Sequence, residues 1–229
     1  ALEGRWNEEG PVLRGGRAAA GWAWKEGATM AIAIYVYNRP EYFREVVNSL
    51  RRVQGVHDVL LVISTDGLTE GMLSIIESID FCGARLLLHP APSPAFGHAG
   101  GRGADGVVVV KQHRAWLLNQ VFFRLRETRS RPGDVLILEE DHRPTPDAIA
   151  TLRRLLAVKN GGDCPACWAV ALQFGCENKD KETDPLKFCL TRRFLNTGIA
   201  MNRSVYERVA AGGLEAFRDG WDWGLYHLI

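Results

Sequence analysis

The amino-acid sequence predicts an α/β fold in which a mostly parallel sheet is flanked by helices. Apolar runs of strand length alternate with helical patterns from residue 30 to about residue 158, and this alternation is typical of a three-layer domain. The run at residues 135–138 is apolar throughout and bounded by turn residues, as expected for a strand buried on both faces. With 229 residues, 46% of them hydrophobic, the chain can bury one sizeable core.

The first half reads as regular α/β structure. Residues 30–37 form the first predicted strand, and Pro40 then sits at a first-turn position of a helix that Asn38 can cap. The inward face of this helix is apolar: Phe43, Val46, Val47 and Leu50. The next predicted elements are strand 58–65, helix 69–79, strand 85–89, loop 90–106, helix 107–126, strand 135–138 and helix 146–158.

The two ends of the chain are less regular. Residues 1–29 are rich in Gly, Arg and Ala and predict a mostly irregular leader. Beyond Gly161, strands are expected at 168–174 and 197–202, followed by a helix at 204–211. Residues 222–229 resemble the start of a helix without a stop signal, so we expect the chain to be a fragment truncated at its carboxyl end.

Composition excludes several classes of protein. The formal net charge of +1 does not favour an electrostatic nucleic-acid binder. No apolar run approaches the ~20 residues of a membrane span, and no signal-peptide pattern is present.

Cys164 and Cys167 form a C-x-x-C pair without the further ligands of a zinc site. A local disulfide in an oxidising compartment is the favoured interpretation.

Residues 101–106 match the dinucleotide-binding pattern G-x-G-x-x-G. In that fingerprint the glycines follow a strand immediately and open a helix. Here a Pro-rich loop precedes them and a β-branched run follows. A flexible loop is therefore the better interpretation of this motif.

The segment Glu139-Glu140-Asp141-His142 follows the predicted strand 135–138 directly. Open α/β sheets bind ligands at the carboxyl ends of their strands. Three adjacent carboxylates repel one another unless a positive charge is bound, so a divalent cation is their natural partner. The alternative is a solvated acidic turn.

Three further polar residues occupy comparable positions. Arg39 ends the first strand beside a helix amino terminus, where it can pair with a diphosphate or simply lie at the surface. Asp66 ends the second strand and can accept a hydrogen bond from a base or ribose, or can be a turn residue before Gly67. Asp222 lies between two tryptophans, whose burial of the carboxylate would suit a general base; the alternative is a helix cap.

Together these segments resemble the N-acetylglucosaminyltransferase II family over residues 30–229. The resemblance rests on residues 34–43, 49–55 and 136–142, and on the order of Cys164-Pro-Ala-Cys167, the N-x-G-x-A segment at 196–200 and Trp221-Asp222-Trp223.

The resemblance implies a GT-A fold, with a nucleotide-binding half at 30–142 and an acceptor-side half at 143–229. It also implies an inverting enzyme of N-glycan biosynthesis that transfers GlcNAc from UDP-GlcNAc, in β1,2 linkage, to the α1,6-arm mannose. Mn²⁺ would be the cofactor, glycoproteins would carry the acceptor, and the full-length enzyme would be a type II membrane protein of the Golgi lumen.

The resemblance assigns roles by matching position. Asp141 would bind the metal, Arg39 the diphosphate, and Asp222 would be the catalytic base. Glu139 and Glu140 would face the sugar and ribose. Asp66 would bind uracil and His113 the nucleotide, by analogy with the related N-acetylglucosaminyltransferase I. A second metal-ligating histidine would come from a segment beyond Ile229.

Two other classes fit part of the pattern. A metal-dependent nucleotidyltransferase also places carboxylates at sheet ends, but residues 37–40 are not its Gly/Lys-rich phosphate loop. A non-catalytic glycan- or nucleotide-binding fragment is the third alternative.

Overall fold

The computed structural model describes residues 12–13, 30–37, 39–90, 104–130, 133–172, 188–191 and 196–212. Seven strands form one sheet in the order β1-β4-β3-β2-β5-β7-β6. The strands are β1 (Val12–Leu13), β2 (Ala31–Val36), β3 (Leu60–Thr65), β4 (Gly83–Leu88), β5 (Val135–Glu139), β6 (Val170–Ala171) and β7 (Ile199–Met201). The helices are α1 (Pro40–Leu50), α2 (Glu70–Glu77), α3 (Ala104–Asn119), α4 (Ala148–Asn160) and α5 (Arg203–Ala211).

The centre of the sheet is parallel and its edges are antiparallel. β2 pairs in parallel with β3 on one side and with β5 on the other, and β3 pairs in parallel with β4. β1 joins β4 antiparallel, and β7 joins β5 antiparallel. The predicted parallel character therefore holds for the four central strands. Successive crossovers run in opposite directions from β2, which makes the β2–β5 boundary the topological switch point of the sheet.

Helices cover both faces of the sheet, as the three-layer prediction requires. Ile32 and Ile34 of β2 belong to a core cluster that includes residues of α1, α2 and α4. Ala33 and Tyr35, one position out of phase, belong to a second cluster with residues of α3 and α5. This division follows from the two-residue period of a strand, which sends alternate side chains to opposite faces.

Helix α1 begins at Pro40, as predicted, and Arg39, at its N-cap position, makes no side-chain cap hydrogen bond. Asn38, the predicted cap, lies outside the described residues. The predicted apolar face of α1 is buried: Phe43, Val46, Val47 and Leu50. The helix thereby fixes Arg39 at the point where β2 ends.

Several element bounds differ from the predictions. Val12–Leu13 form a strand within the predicted irregular leader. Of the strand expected at 168–174, the described part, which ends at Leu172, is a strand at Val170–Ala171. Helix α3 begins at Ala104, three residues earlier than predicted, and passes into a π-helical turn at Gln120–Arg124. None of the helices in the described ranges is long and apolar enough to cross a membrane.

The cysteines bear out the favoured interpretation of the C-x-x-C pair. Cys164 and Cys167 are joined by a disulfide. Cys189 is also disulfide-bonded. Cys82 is a free, buried thiol, and burial raises its pKa to about 12, so this side chain behaves as a small apolar core residue.

Candidate functional site

The candidate site lies at the carboxyl edge of the parallel strands. The β2 register aligns Val36 with Thr65 of β3 and Tyr35 with Glu139 of β5, so these strands end level with one another. Two groups of ligand-type side chains follow these ends. The carboxylate cluster consists of Glu139, Asp141 and His142, and the histidine cluster consists of Asp66, His89 and His113.

Within the carboxylate cluster, each of the three residues offers a ligand atom within 4.8 Å of the other two. Asp141 is the accessible member, with 39% of its side chain exposed. The backbone N–H of Glu139 donates to Nδ1 of His142 at 3.1 Å, which leaves the hydrogen of the neutral ring on Nε2, 3.9 Å from Oδ1 of Asp141. Burial lowers the pKa of His142 and so favours the neutral ring.

This arrangement fits a hard divalent cation. Carboxylate oxygens are ligands that Mn²⁺ prefers, and imidazole is compatible with it. Glu139 and Asp141 supply the oxygens, while His142 can orient Asp141 or ligate after giving up its bond to Glu139. The metal role of Asp141 stays a prediction, and the ligand types of this cluster are compatible with it.

Glu140 points the other way from its neighbours. Only 3% of its side chain is exposed, and its two oxygens accept hydrogen bonds from Nε of Arg39 and, at 2.7 Å, from the backbone N–H of Tyr37. Burial raises the pKa of Glu140, and the Arg39 guanidinium opposes this effect. Glu140 thus joins the turn after β2 to the end of β5, and it reaches the site through Arg39.

Arg39 contacts both the buried Glu140 and Asp141 of the carboxylate cluster. Its second terminal nitrogen lies 3.3 Å from Oδ2 of Asp141, and 44% of its side chain is exposed. The guanidinium also lies over the ring of Tyr42, 4.9 Å from the centroid. A guanidinium held in this way, with part of its surface exposed, is suited to a phosphate-bearing ligand.

The histidine cluster is a buried hydrogen-bonded chain. Nδ1 of His89 lies 2.6 Å from Oδ1 of Asp66, and Nδ1 of His113 lies 3.0 Å from Oδ2 of the same carboxylate. Nε2 of His113 continues the chain to Oγ of Ser64 at 2.6 Å. Burial alone would raise the pKa of Asp66, but the hydrogen bonds from His113 and His89 outweigh it and lower this pKa to about 2.

Sequence reasoning missed three residues of the site. His89 was only the last residue of a predicted strand, and Ser64 and His142 received no role. A signal was available, because β4 is parallel to β3 and His89 must therefore reach the same edge as Asp66. The predicted residues Arg39, Asp66, His113, Glu139, Glu140 and Asp141 are brought to this edge. Asp222 lies outside the described residues.

Solved structures support the fold. The chain superimposes on crystal structures of S. aureus TarS with TM-scores of 0.51 and 0.50, both at 15% sequence identity, covering 85% and 86% of this chain and 32% and 54% of those chains. The mixed sheet with helices on both faces is of the GT-A type, which confirms the predicted fold class.

Curated relatives extend over most of the chain. An alpha-1,6-mannosyl-glycoprotein 2-beta-N-acetylglucosaminyltransferase from Arabidopsis thaliana is 32% identical over 86% of this chain and 51% of its own length. The enzymes of the same name from Rattus norvegicus and Homo sapiens are 27% and 26% identical, over 90% and 95% of this chain. The chain spans about half the length of these relatives. The sequence model of N-acetylglucosaminyltransferase II (MGAT2) matches residues 19–98 and 93–229, and the chain therefore belongs to the N-acetylglucosaminyltransferase II family.

Proposed function

We propose that this chain carries the donor-binding part of an inverting glycosyltransferase. The enzyme transfers GlcNAc from UDP-GlcNAc, in β1,2 linkage, to the α1,6-arm mannose of an N-glycan. The observation that supports this most is the contact between Arg39 and Asp141 at the switch point of the sheet, because it places a fixed cation next to a metal-type carboxylate. That pairing suits a diphosphate, and the names of the relatives support GlcNAc as the sugar.

The metal contribution is electrostatic. Mn²⁺ would be held by Asp141 and Glu139, and when bound it would neutralise charge on the departing diphosphate. Arg39 acts on the same charge from its position at the start of α1. Glu140 fixes the direction of Arg39, since it holds Nε of the guanidinium and leaves a terminal nitrogen near Asp141. At the other end of the site, Asp66 binds the base, and His113 supports the nucleotide site through its bond to the Asp66 carboxylate.

The transfer itself is a single displacement. Asp222 takes the proton of the mannose 2-hydroxyl as the oxygen attacks the anomeric carbon, and UDP leaves from the opposite side. One displacement inverts the anomeric centre, so an α-linked donor gives a β-linked product. The family relationship supports a reaction on glycoproteins in the Golgi lumen, with the full-length enzyme anchored as a type II membrane protein.

A donor-turnover assay tests this function. The protein is incubated with UDP-GlcNAc and Mn²⁺, and UDP release is measured without acceptor, with an N-glycan that exposes the α1,6-arm mannose, and with the same glycan 2-O-methylated on that mannose. We expect release only with the free 2-hydroxyl and a β-linked product by NMR. Equal release from both glycans would contradict the assigned acceptor atom.

Two alternatives give different results in matched assays. Supplied instead with UTP and a sugar phosphate, a nucleotidyltransferase would release pyrophosphate, and the glycan would have no effect. A binding fragment would bind UDP-GlcNAc in calorimetry without turnover. Assaying this chain and the full-length protein in parallel shows whether a lack of turnover results from a missing segment or from a missing activity.

A further inference from the structure

The carboxylate of Asp66 is held by hydrogen bonds from two histidines. This arrangement of Asp66, His89 and His113 is termed the clamp. Each oxygen faces the Nδ1 atom of a different histidine, His89 at 2.6 Å and His113 at 3.0 Å. A carboxylate with a pKa of about 2 can only accept hydrogen bonds at neutral pH. Both Nδ1 atoms therefore carry hydrogens and donate. This assignment leaves lone pairs on Asp66 for one further donor.

The ring geometry distinguishes this clamp from a metal site, which the same three residues could otherwise form. The imidazoles of His89 and His113 are stacked, with centroids 4.6 Å apart and planes 11° apart. A metal lies in the plane of each imidazole that ligates it, and the planes of two stacked rings are displaced from each other, so one ion does not lie in both planes. Two separate carboxylate oxygens suit stacked rings, because each ring bonds its own oxygen.

The clamp is itself held in place. The edge of Trp116 meets the His89 ring with centroids 5.2 Å apart, and Ser64 fixes the far nitrogen of His113 at 2.6 Å. His89 and His113 are both buried. Asp66, with 17% of its side chain exposed, is the member of the cluster that a ligand can contact.

We propose that His89 is a positioning residue for base recognition: together with His113 it fixes Asp66 as a pure acceptor that selects a pyrimidine carrying an N3–H. This inference rests on the proposed nucleotide donor. Uracil presents a hydrogen on N3, whereas cytosine presents a lone pair there. An ionised, immobile carboxylate bonds the first and repels the second, so the clamp makes the site uridine-specific.

Two substitutions at one position test the role of His89. His89→Phe keeps a ring for the stack with His113 and the contact with Trp116 but removes the Nδ1 donor. His89→Asn loses the ring but places an amide N–H close to the position of Nδ1. The Kd values of UDP and CDP are measured by calorimetry with Mn²⁺ for the parent and both variants, and circular dichroism confirms that each is folded.

We expect the parent to prefer UDP, and His89→Phe to reduce that preference about tenfold, the effect of one charge-assisted hydrogen bond, by weakening UDP more than CDP. His89→Asn should restore the preference to within about threefold of the parent. Equal weakening of UDP and CDP, or an unchanged preference in His89→Phe, would overturn the role of His89 and leave the proposed function intact. A parent that does not prefer UDP would overturn the proposed donor and this inference with it.

Discussion

The backbone N–H of Tyr37 donates a 2.7 Å hydrogen bond to Oε2 of Glu140, a residue 103 positions later in the chain. This bond joins the end of β2 to the end of β5 at the switch point of the sheet. The same carboxylate accepts from Nε of Arg39. One buried side chain therefore determines both the spacing of the two strand ends and the direction of the cation.

Glu140→Ala should destabilise the protein as well as weaken donor binding. The substitution leaves the Tyr37 N–H without its acceptor and Arg39 without its buried partner, which should lower the free energy of unfolding by about 2 kcal/mol. Urea denaturation measures this change. Glu45→Ala is the matched control, because the Glu45–Arg143 pair is exposed and should contribute about 0.5 kcal/mol or less. Equal effects of the two substitutions would contradict the structural role of Glu140.

Asp141→Asn should abolish Mn²⁺-dependent binding of UDP-GlcNAc and leave the fold intact. The amide keeps the shape of the side chain but removes the negative charge that a hard cation requires. Calorimetry with and without Mn²⁺ measures the change. Asp58→Asn, at a carboxylate whose side chain is 59% exposed, should bind the donor as the parent does. Parental donor affinity in Asp141→Asn would show that the metal is held elsewhere.

The low pKa of Asp66 predicts a dependence of stability on pH. Its folded-state pKa of about 2 lies below the ordinary value of 3.8, so the unfolded chain binds this proton more readily than the folded chain does. The stabilisation is complete above the ordinary value and is lost as pH falls toward the folded-state value. The unfolding free energies of parent and Asp66→Asn should therefore converge on acidification from about pH 5. A difference that does not change with pH would contradict the clamp geometry.

Asp222→Asn should lower kcat by ~10²-fold or more in the full-length enzyme, because the amide cannot accept the proton of the acceptor hydroxyl. The proposed donor contacts lie at the strand ends, so the affinity for UDP-GlcNAc should stay near that of the parent. Steady-state kinetics with the N-glycan acceptor, together with donor calorimetry, separate the two effects. Lost donor binding with a parental kcat at saturating donor would make Asp222 a donor-site residue.

Local sequence patterns predicted the elements well where burial and periodicity agree. Strands β2, β3 and β5 and the inward face of α1 are apolar runs whose structure follows from their own residues. Pairing partners are not encoded locally, and within the described part of the predicted strand at 168–174 the residues that pair with β7 are Val170 and Ala171. The antiparallel edge strands therefore depend on contacts with neighbouring strands, which a local pattern does not predict.

The site could be predicted to the level of residue type and strand end, but not to the level of side-chain direction. Glu139, Glu140 and Asp141 look equivalent in sequence, yet Glu140 turns inward to meet Arg39 and Tyr37. This difference arises in the turn that follows the end of β5 at Glu139, where Glu140 meets partners about 100 residues distant in the chain. For the same reason His89 gains its role only through its contact with Asp66.

The order of strands also sets a length scale for the ligand. β3 and β5 flank β2, so Asp66 and Asp141 follow strands that are two spacings apart, roughly 10 Å. A molecule that engages both residues must present a hydrogen-bond donor at one end and a metal-seeking anion at the other, separated by about that length. A free sugar is too short to do so, and a nucleoside diphosphate has both groups in the required order. The spacing of the strands therefore restricts the length of a ligand that can contact both residues.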